Sequence, residues 1–377
     1  MRSSLRWLHS AFGLAGAIWL FLLGITGTLL VFYTELDHAL NSEMFRPAGT
    51  ASIATVDEAV ATVTASAAGR QVEGFWRGNN EADIWTFRVS PAPPGTTLEV
   101  YLDPTIGRVT GERVWHELTI DRAHLMPVLY QLHYNLLMGA GGEWFIGLVG
   151  FFWLIDHFVA LTLSFPTAAK WWHSFRIRVA NGHKLTFDLH RSIGMWLLLV
   201  TLVIAGTGTY MNWRPYAETV VGMFSQRSPW PGSDLPELSM PLERPRLTMQ
   251  DAIQVAAPKH FQGANYDPAR GIYAVNAFDP RDLTSDYGRQ VFVVDAISGK
   301  IRSSVYTGSG TAADVMEAWL LPLHNGKAAG FGGRIVVALS GVALCSFVIT
   351  GLMIWWRRRT SRRVHLRKSS RPYPESW

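Results

Sequence analysis

Four of the chain's 12 histidines stand where a neutral imidazole could serve as a metal ligand: His9, His133, His190 and His324. His9 and His190 open long apolar runs; His133 and His324 come just before two others. Their surroundings repeat. Leu8-His9-Ser10 falls on Leu189-His190-Arg191 at an offset of 181, which also sets Gly13 on Gly194 and Thr26-Gly27 on Thr207-Gly208. Leu132-His133 falls on Leu323-His324 at an offset of 191, which sets Gly150 on Gly341. A third block, Val100 to Val109, matches Phe292 to Ile301 at an offset of 192. Three blocks in register mark an internal duplication.

Two halves in the same orientation are expected to relate by an axis along the membrane normal. That axis would bring His9 to His190 and His133 to His324, one imidazole pair near each membrane face. Two neutral imidazoles facing across a helical bundle are what a b-type haem requires as axial ligands. Gly13 and Gly194, four residues after their histidines on the same helix face, would open a groove for the ring edge. A single histidine at a helix end ordinarily caps a carbonyl or reaches to the interface; four at symmetry-matched positions ask for more. The pairs would also suit bare zinc, copper or iron, but no carboxylate accompanies them at equivalent spacing, which favours haem. Asp156 and His157 lie inside the second apolar run, where ionisable residues are costly. They break the symmetry, since Val348 stands opposite His157. They could add a ligand, a proton path or a quinol contact, or simply bond to one another. His183 in the basic loop reads as solvated.

The elements that must position these residues follow from hydropathy. Of the 377 residues 48% are hydrophobic, and 16 are tryptophan, a composition suited to lipid and its aromatic belts. Four runs, roughly 9–32, 143–165, 190–212 and 334–356, match the about 20 residues that span a bilayer core. The first outlasts a signal-peptide core and lacks a small-residue cleavage pattern, so it reads as a retained helix. Arg2 and Arg6, then Lys170, Arg176, Arg178, Lys184 and Arg191, then Arg357, Arg358, Arg359, Arg362, Arg363, Arg367 and Lys368 mark three segments on one side. By the positive-inside rule that side is the cytoplasm.

The expected fold is an integral membrane α-helical bundle of four transmembrane helices in two parallel repeats, with two small α+β domains on the periplasmic side. The divisions are residues 1–34 (cytoplasmic N-terminus and first span), 35–142 (first domain), 143–166 (second span), 167–189 (cytoplasmic loop), 190–212 (third span), 213–333 (second domain), 334–356 (fourth span) and 357–377 (basic tail). In each domain a short helix, at 56–60 and at 248–253, precedes strands such as Ile84 to Val89. Asp103-Pro104-Thr105-Ile106-Gly107 and Asp295-Ala296-Ile297-Ser298-Gly299 read as hairpin turns. Stretches 91–95 and 228–245 read as loops.

Other chemistries are excluded by motif. The one cysteine, Cys345, permits no intrachain disulfide, and without C-x-x-C-H there is no covalent c-type haem. No Rossmann fingerprint or P-loop occurs, so electrons must come from a separate donor. No nucleic-acid partner is expected.

The chain resembles the PepSY-associated transmembrane family of iron-regulated membrane proteins. The likeness rests on Leu8-His9 with Gly13 and Thr26-Gly27, on Phe152-Trp153-Leu154-Ile155-Asp156, and on Asp188-Leu189-His190-Arg191. It continues through Leu323-His324 to Ile349-Thr350-Gly351-Leu352-Met353-Ile354-Trp355-Trp356. The resemblance implies that both extracytoplasmic units are PepSY-like, and its FoxB-like siderophore reductase branch implies a haem protein of the bacterial inner membrane with both termini cytoplasmic. His157, where members of the family often carry a small residue or cysteine, departs from the pattern and leaves the ligand set open.

The expectation is then an electron carrier: a cytoplasmic reductant or membrane quinol reduces a haem on His9 and His190, a second haem on His133 and His324 receives the electron, and a ferric siderophore in the periplasm is reduced. Ferrous iron is held weakly by hard oxygen donors, so the metal is released. Trp19, Trp153 and Trp196 could flank the path, and Trp76, Trp85, Trp115 and Tyr130 could line a substrate site or belong to cores. The competing readings are a non-catalytic PepSY regulator that binds a peptide or protease, a haem reductase with a quinone or copper acceptor, and a transporter. Few ionisable residues in three of the four runs argue against ion coupling.

Overall fold

The computed structural model describes residues 2–369 apart from 68, 79, 81, 94, 166, 179–181 and 285–288. The side chains of 168–170 and of residues beyond 361, with them the expected basic residues Lys170, Arg362, Arg363, Arg367 and Lys368, lie outside the described ones, as do part of the 91–95 loop and the tail from 370.

The duplication is visible in the element order. The first half runs α1 (Arg2–Ala15), α2 (Ala17–Leu30), α3 (Tyr33–Leu40), α4 (Ser42–Phe45), α5 (Val56–Ser66), β1 (Gln71–Trp76), β2 (Trp85–Ser90), β3 (Thr97–Asp103), β4 (Arg108–Trp115), α6 (Leu125–Asn135) and α7 (Gly139–Ser164). A 3₁₀ segment (Ala168–Phe175) leads to the second half: α8 (His183–Trp196), α9 (Leu198–Asn212), α10 (Arg214–Gly222), α11 (Met249–Ala256), β5 (Phe261–Asp267), β6 (Ile272–Ala277), β7 (Gln290–Asp295), β8 (Ile301–Tyr306), α12 (Ala312–His324), a 3₁₀ turn (Lys327–Ala329) and α13 (Gly330–Ser369).

Among the described residues two helices, α7 and α13, are long and apolar enough to cross a membrane, and up to four spans result if each bent pair is one span. The runs expected as the first and third spans are each made of two helices that meet at an angle. α1 meets α2 at 62° and α8 meets α9 at 66°. The cause lies in the first member of each pair. α1 carries Arg2, Ser3, Ser4, Arg6, His9 and Ser10, and α8 carries His183, Lys184, Asp188, His190, Arg191 and Ser192. Helices with one polar and one apolar face favour an interface over a hydrocarbon core. Trp7 and Leu8 are exposed on α1 and Trp196 at the end of α8. Trp196 also joins Trp172 and Phe175 in an aromatic cluster, which suits an interface better than an electron path. α13 continues as one helix past 356, so the first part of the expected tail is helical.

The two extracytoplasmic units were expected to be separate. Instead their strands form one antiparallel eight-stranded sheet, in the order β4-β3-β2-β1-β5-β6-β7-β8. β1 and β5 make the seam, with Gly74 opposite Asn265, Phe75 opposite Ala264 and Trp76 opposite Gly263. Gly74 and Gly263 are symmetry mates, and a Cβ on either would strike the opposing strand. α5 and α11 lie over one face and share a single core with the sheet, including Val63, Phe75, Phe87, Val100, Leu102, Ala252, Ile253, Ala264 and Val275. Capping boxes start both helices, Thr55 with Glu58 and Thr248 with Asp251. The hairpin turns fall where the sequence predicts, with Gly107 at φ +62° and Gly299 at φ +71°.

The joint between sheet and helices is ionic in the first half. Arg113 on β4, 4% exposed, donates to both oxygens of Asp37 on α3 at 3.1 and 2.8 Å. Glu99 lies 3.8 Å from the same guanidinium and accepts from Tyr101 and from Trp115 Nε1. Burial nevertheless pushes the Glu99 carboxyl above its usual range. Arg113→Met would leave two buried carboxylates without their cation. The expected loss is about 3–5 kcal/mol, to be read as a lower midpoint in chemical unfolding followed by tryptophan fluorescence.

Candidate functional site

The fold brings together the pairs that the duplication predicts. The ring centroids of His9 and His190 lie 6.0 Å apart at 70° between planes, and those of His133 and His324 lie 6.3 Å apart at 67°. Among the described residues no group of three or more His, Cys, Asp or Glu is placed to hold a metal ion, so each pair is a two-donor set.

Three of the four rings share one seat. His133 Nδ1 lies 2.8 Å from Thr26 Oγ1, His324 Nδ1 3.0 Å from Thr207 Oγ1, and His190 Nδ1 2.9 Å from Thr350 Oγ1. Each threonine already donates its one proton to the carbonyl a turn earlier, at 2.7 Å to Leu22, 2.7 Å to Val203 and 2.6 Å to Ser346. With the hydroxyl proton so placed, the oxygen accepts from Nδ1–H, an arrangement that leaves the Nε2 lone pair free. The residue after each threonine is glycine, and it is packed against the imidazole. A Cβ at Gly27 would stand 3.1 Å from His133 Cε1, one at Gly208 3.0 Å from His324 Cε1, and one at Gly351 3.3 Å from His190 Cε1. The seat is thus a Thr-Gly dipeptide on a neighbouring helix: the hydroxyl meets Nδ1 and the glycine admits the ring.

His9 is the exception. Its Nδ1 meets the Asp156 carboxylate of α7, at 2.8 Å to Oδ2 and 3.0 Å to Oδ1. Asp156 is therefore a partner of a candidate ligand and not a ligand itself. His157 takes no part in either pair. Its Nδ1 donates to Trp153 O at 2.7 Å within α7, and its Nε2 lies 2.9 Å from Thr201 Oγ1, so one ring nitrogen is spent inside α7 and the other ties α7 to α9. Asp156 and His157 thus turn to different partners, Asp156 to His9 and His157 to Trp153 and Thr201. Gly13 and Gly194 are not packed tightly against other helices either: a Cβ at Gly13 meets nothing within 4 Å, and one at Gly194 only Phe347 at 3.9 Å. The glycines that touch the rings are Gly27, Gly208 and Gly351.

Asp188, two residues before His190, is fully buried. It accepts from Arg178 at 2.7 and 2.9 Å and from Arg191 at 3.1 Å. This clamp fastens the basic loop to α8 and fixes the helix turn that carries His190. An apolar cluster of Leu20 on α2, Val149 on α7 and Leu344 on α13, with Trp19, Phe145, Trp153 and Phe347 around it, packs these helices together. Of the aromatic residues considered for a substrate site, Trp85 is core at 2% exposure. Trp115 and Tyr130 pack with Tyr33 between the sheet and α6.

A helical bundle with a duplicated helix–sheet–helix plan and matched histidine pairs is a membrane-protein architecture. The family model for the PepSY-associated TM region matches residues 6–358, and the chain belongs to that family. No curated protein matches the chain.

Proposed function

We propose that the protein carries electrons across the bacterial inner membrane through two b-type haems, one for each histidine pair, and reduces a ferric siderophore on the sheet side. The observation that carries the reading is the pairing of four imidazoles, each with its Nδ1 within hydrogen-bond distance of a threonine hydroxyl or a carboxylate. Ring centroids 6.0 and 6.3 Å apart leave room for one metal atom between the rings of each pair, and two protein donors would suffice where a macrocycle provided the rest.

When bound, haem supplies a one-electron ferric–ferrous couple. The chain's own part is positional. Thr26, Thr207, Thr350 and Asp156 hold the four rings in the ligating tautomer, the adjacent glycines admit three of them, and the apolar cluster around Leu20 and Leu344 packs α2, α7 and α13 together. Electron balance needs one electron per ferric ion; a quinol, giving two electrons and two protons, would serve two. Arg2, Arg6, Arg176, Arg178, Arg191, Arg357, Arg358 and Arg359 stand at the α1–α8 end, which supports a cytoplasmic assignment of that end and a periplasmic one for the sheet. The siderophore as acceptor is drawn from the resemblance to the FoxB-like branch.

The test is an absorption spectrum of detergent-purified protein, air-oxidised and then dithionite-reduced, with a pyridine haemochrome count. A reduced α-band at roughly 560 nm, two haems per chain, loss of one in His190→Ala and of the other in His324→Ala, and reoxidation by a ferric hydroxamate are expected. Colourless protein from haem-replete cells would sink the proposal, and a peptide-binding regulator would take its place.

A further inference from the structure

We infer that Asp156 makes the His9–His190 pair the lower-potential site of the two, and so directs electrons from the basic end of the bundle toward the sheet. The inference rests on the haem reading above. Three of the four histidines donate to a neutral hydroxyl, whereas His9 alone donates to a carboxylate. Both Asp156 oxygens lie on the same ring nitrogen, and among the described residues the carboxylate has no other hydrogen bond and no arginine or lysine within ion-pair distance. Its side chain is 13% exposed, so water screens it little. Asp188 shows the contrast, since its charge is answered by two arginines.

The duplication makes the difference plain. The offset of 191 that relates the second helix of each half sets Asp156 on Phe347, and Phe347 packs its ring 5.9 Å from that of His190. The position that holds a carboxylate beside His9 holds a phenyl group beside His190, and Thr350 takes over the Nδ1 proton from a place one turn further along. At the sheet end both partners are threonines, so neither ligand there has a charged neighbour of this kind.

A carboxylate accepting the Nδ1 proton makes an imidazole more electron-donating, and its negative charge favours the state of the metal with the extra positive charge. Both effects stabilise the oxidised state at His9–His190 and lower its potential relative to His133–His324. With haem bound at both pairs, transfer of one electron from the first to the second would run downhill, with no bond or proton moved. The reductant is a quinol or cytoplasmic donor and the terminal oxidant a ferric chelate.

Potentiometric titration of the full-length protein, followed at the α-band, tests this. The wild type is expected to show two one-electron waves. Asp156→Asn keeps an acceptor for Nδ1 and removes the charge; it should raise the lower wave by about a tenfold change in its reduction equilibrium, about 59 mV, and leave the upper wave in place. Thr26→Val should leave the lower wave alone. If Asp156→Asn loses a haem, His324→Ala, which keeps the His9–His190 pair, is compared with His190→Ala, which keeps the other. The former should have the lower potential. Two waves that Asp156→Asn does not shift, or an equal or higher potential in His324→Ala, would overturn this inference alone. Wild-type protein without haem would overturn the reading beneath it.

Discussion

Gly208→Leu is expected to abolish ligation at the sheet end of the bundle while leaving the basic end intact. A Cβ at that position would already stand 3.0 Å from His324 Cε1, and the remaining three carbons of leucine have nowhere to go except into the ring. α9 cannot retreat, because Asn212, one turn on, is bonded to the carbonyls of Tyr134 and Glu143 at 2.8 and 3.0 Å. The imidazole must turn out of its seat, and the Thr207 bond goes with it. Under the two-haem proposal, the pyridine haemochrome count should fall from two per chain to one, with the protein still folded by circular dichroism. Thr207→Val is the milder partner experiment: it removes one hydrogen bond and keeps the room. Its expected effect is a 10- to 100-fold weaker hold on the group, the usual range for a support of this kind. A full haem count in Gly208→Leu would mean that the ring does not use the seat described here.

The second large effect belongs to the seam. Gly263→Val would drive a branched side chain onto the backbone of Phe75 and Trp76, and neither can move without breaking the pairing of Phe75 with Ala264. The cost is put at about 3 kcal/mol, the upper range for overpacking a core. Half of the shared core lies on each side of that seam, so unfolding should also lose cooperativity, with the two four-stranded units melting apart. Thermal unfolding watched by near-ultraviolet circular dichroism, where Trp85 and Phe75 report on the core, is the measurement. An unchanged single transition would show that the units are not held by β1 and β5.

Much of this architecture is legible in the residues, and the illegible parts have identifiable causes. The repeat offsets place the four histidines because two copies of one plan must meet about an axis, and that argument needs no coordinates. The turns at Asp103 and Asp295 and the capped starts of α5 and α11 are local, so local sequence carries them. The fused sheet is different. β1 and β5 pair across two halves nearly 200 residues apart, and nothing in the alternation of either strand says which edge it will offer. The bends at Gly16 and Leu197 escaped a hydropathy count because such a count registers length and not the polar face of α1 or α8. Thr350 escaped for a subtler reason. Its mate at an offset of 191 is Val159, so the repeat itself gives no sign of it. The signal was present in another form: Thr26-Gly27, Thr207-Gly208 and Thr350-Gly351 are the same dipeptide in three apolar runs.

Fusing the sheets also constrains motion. Transporters built from parallel repeats work by rocking one half against the other, and here such a stroke would have to shear an antiparallel ladder through the middle of a single core. The cap acts as a splint: it holds the two halves at one angle and, through α3 and its ion pair to β4, passes that rigidity down to the helices. For a device that moves substrate this would be a handicap. For one in which the rate falls steeply with every ångström between centres, a frame that never changes its spacing is the more useful property.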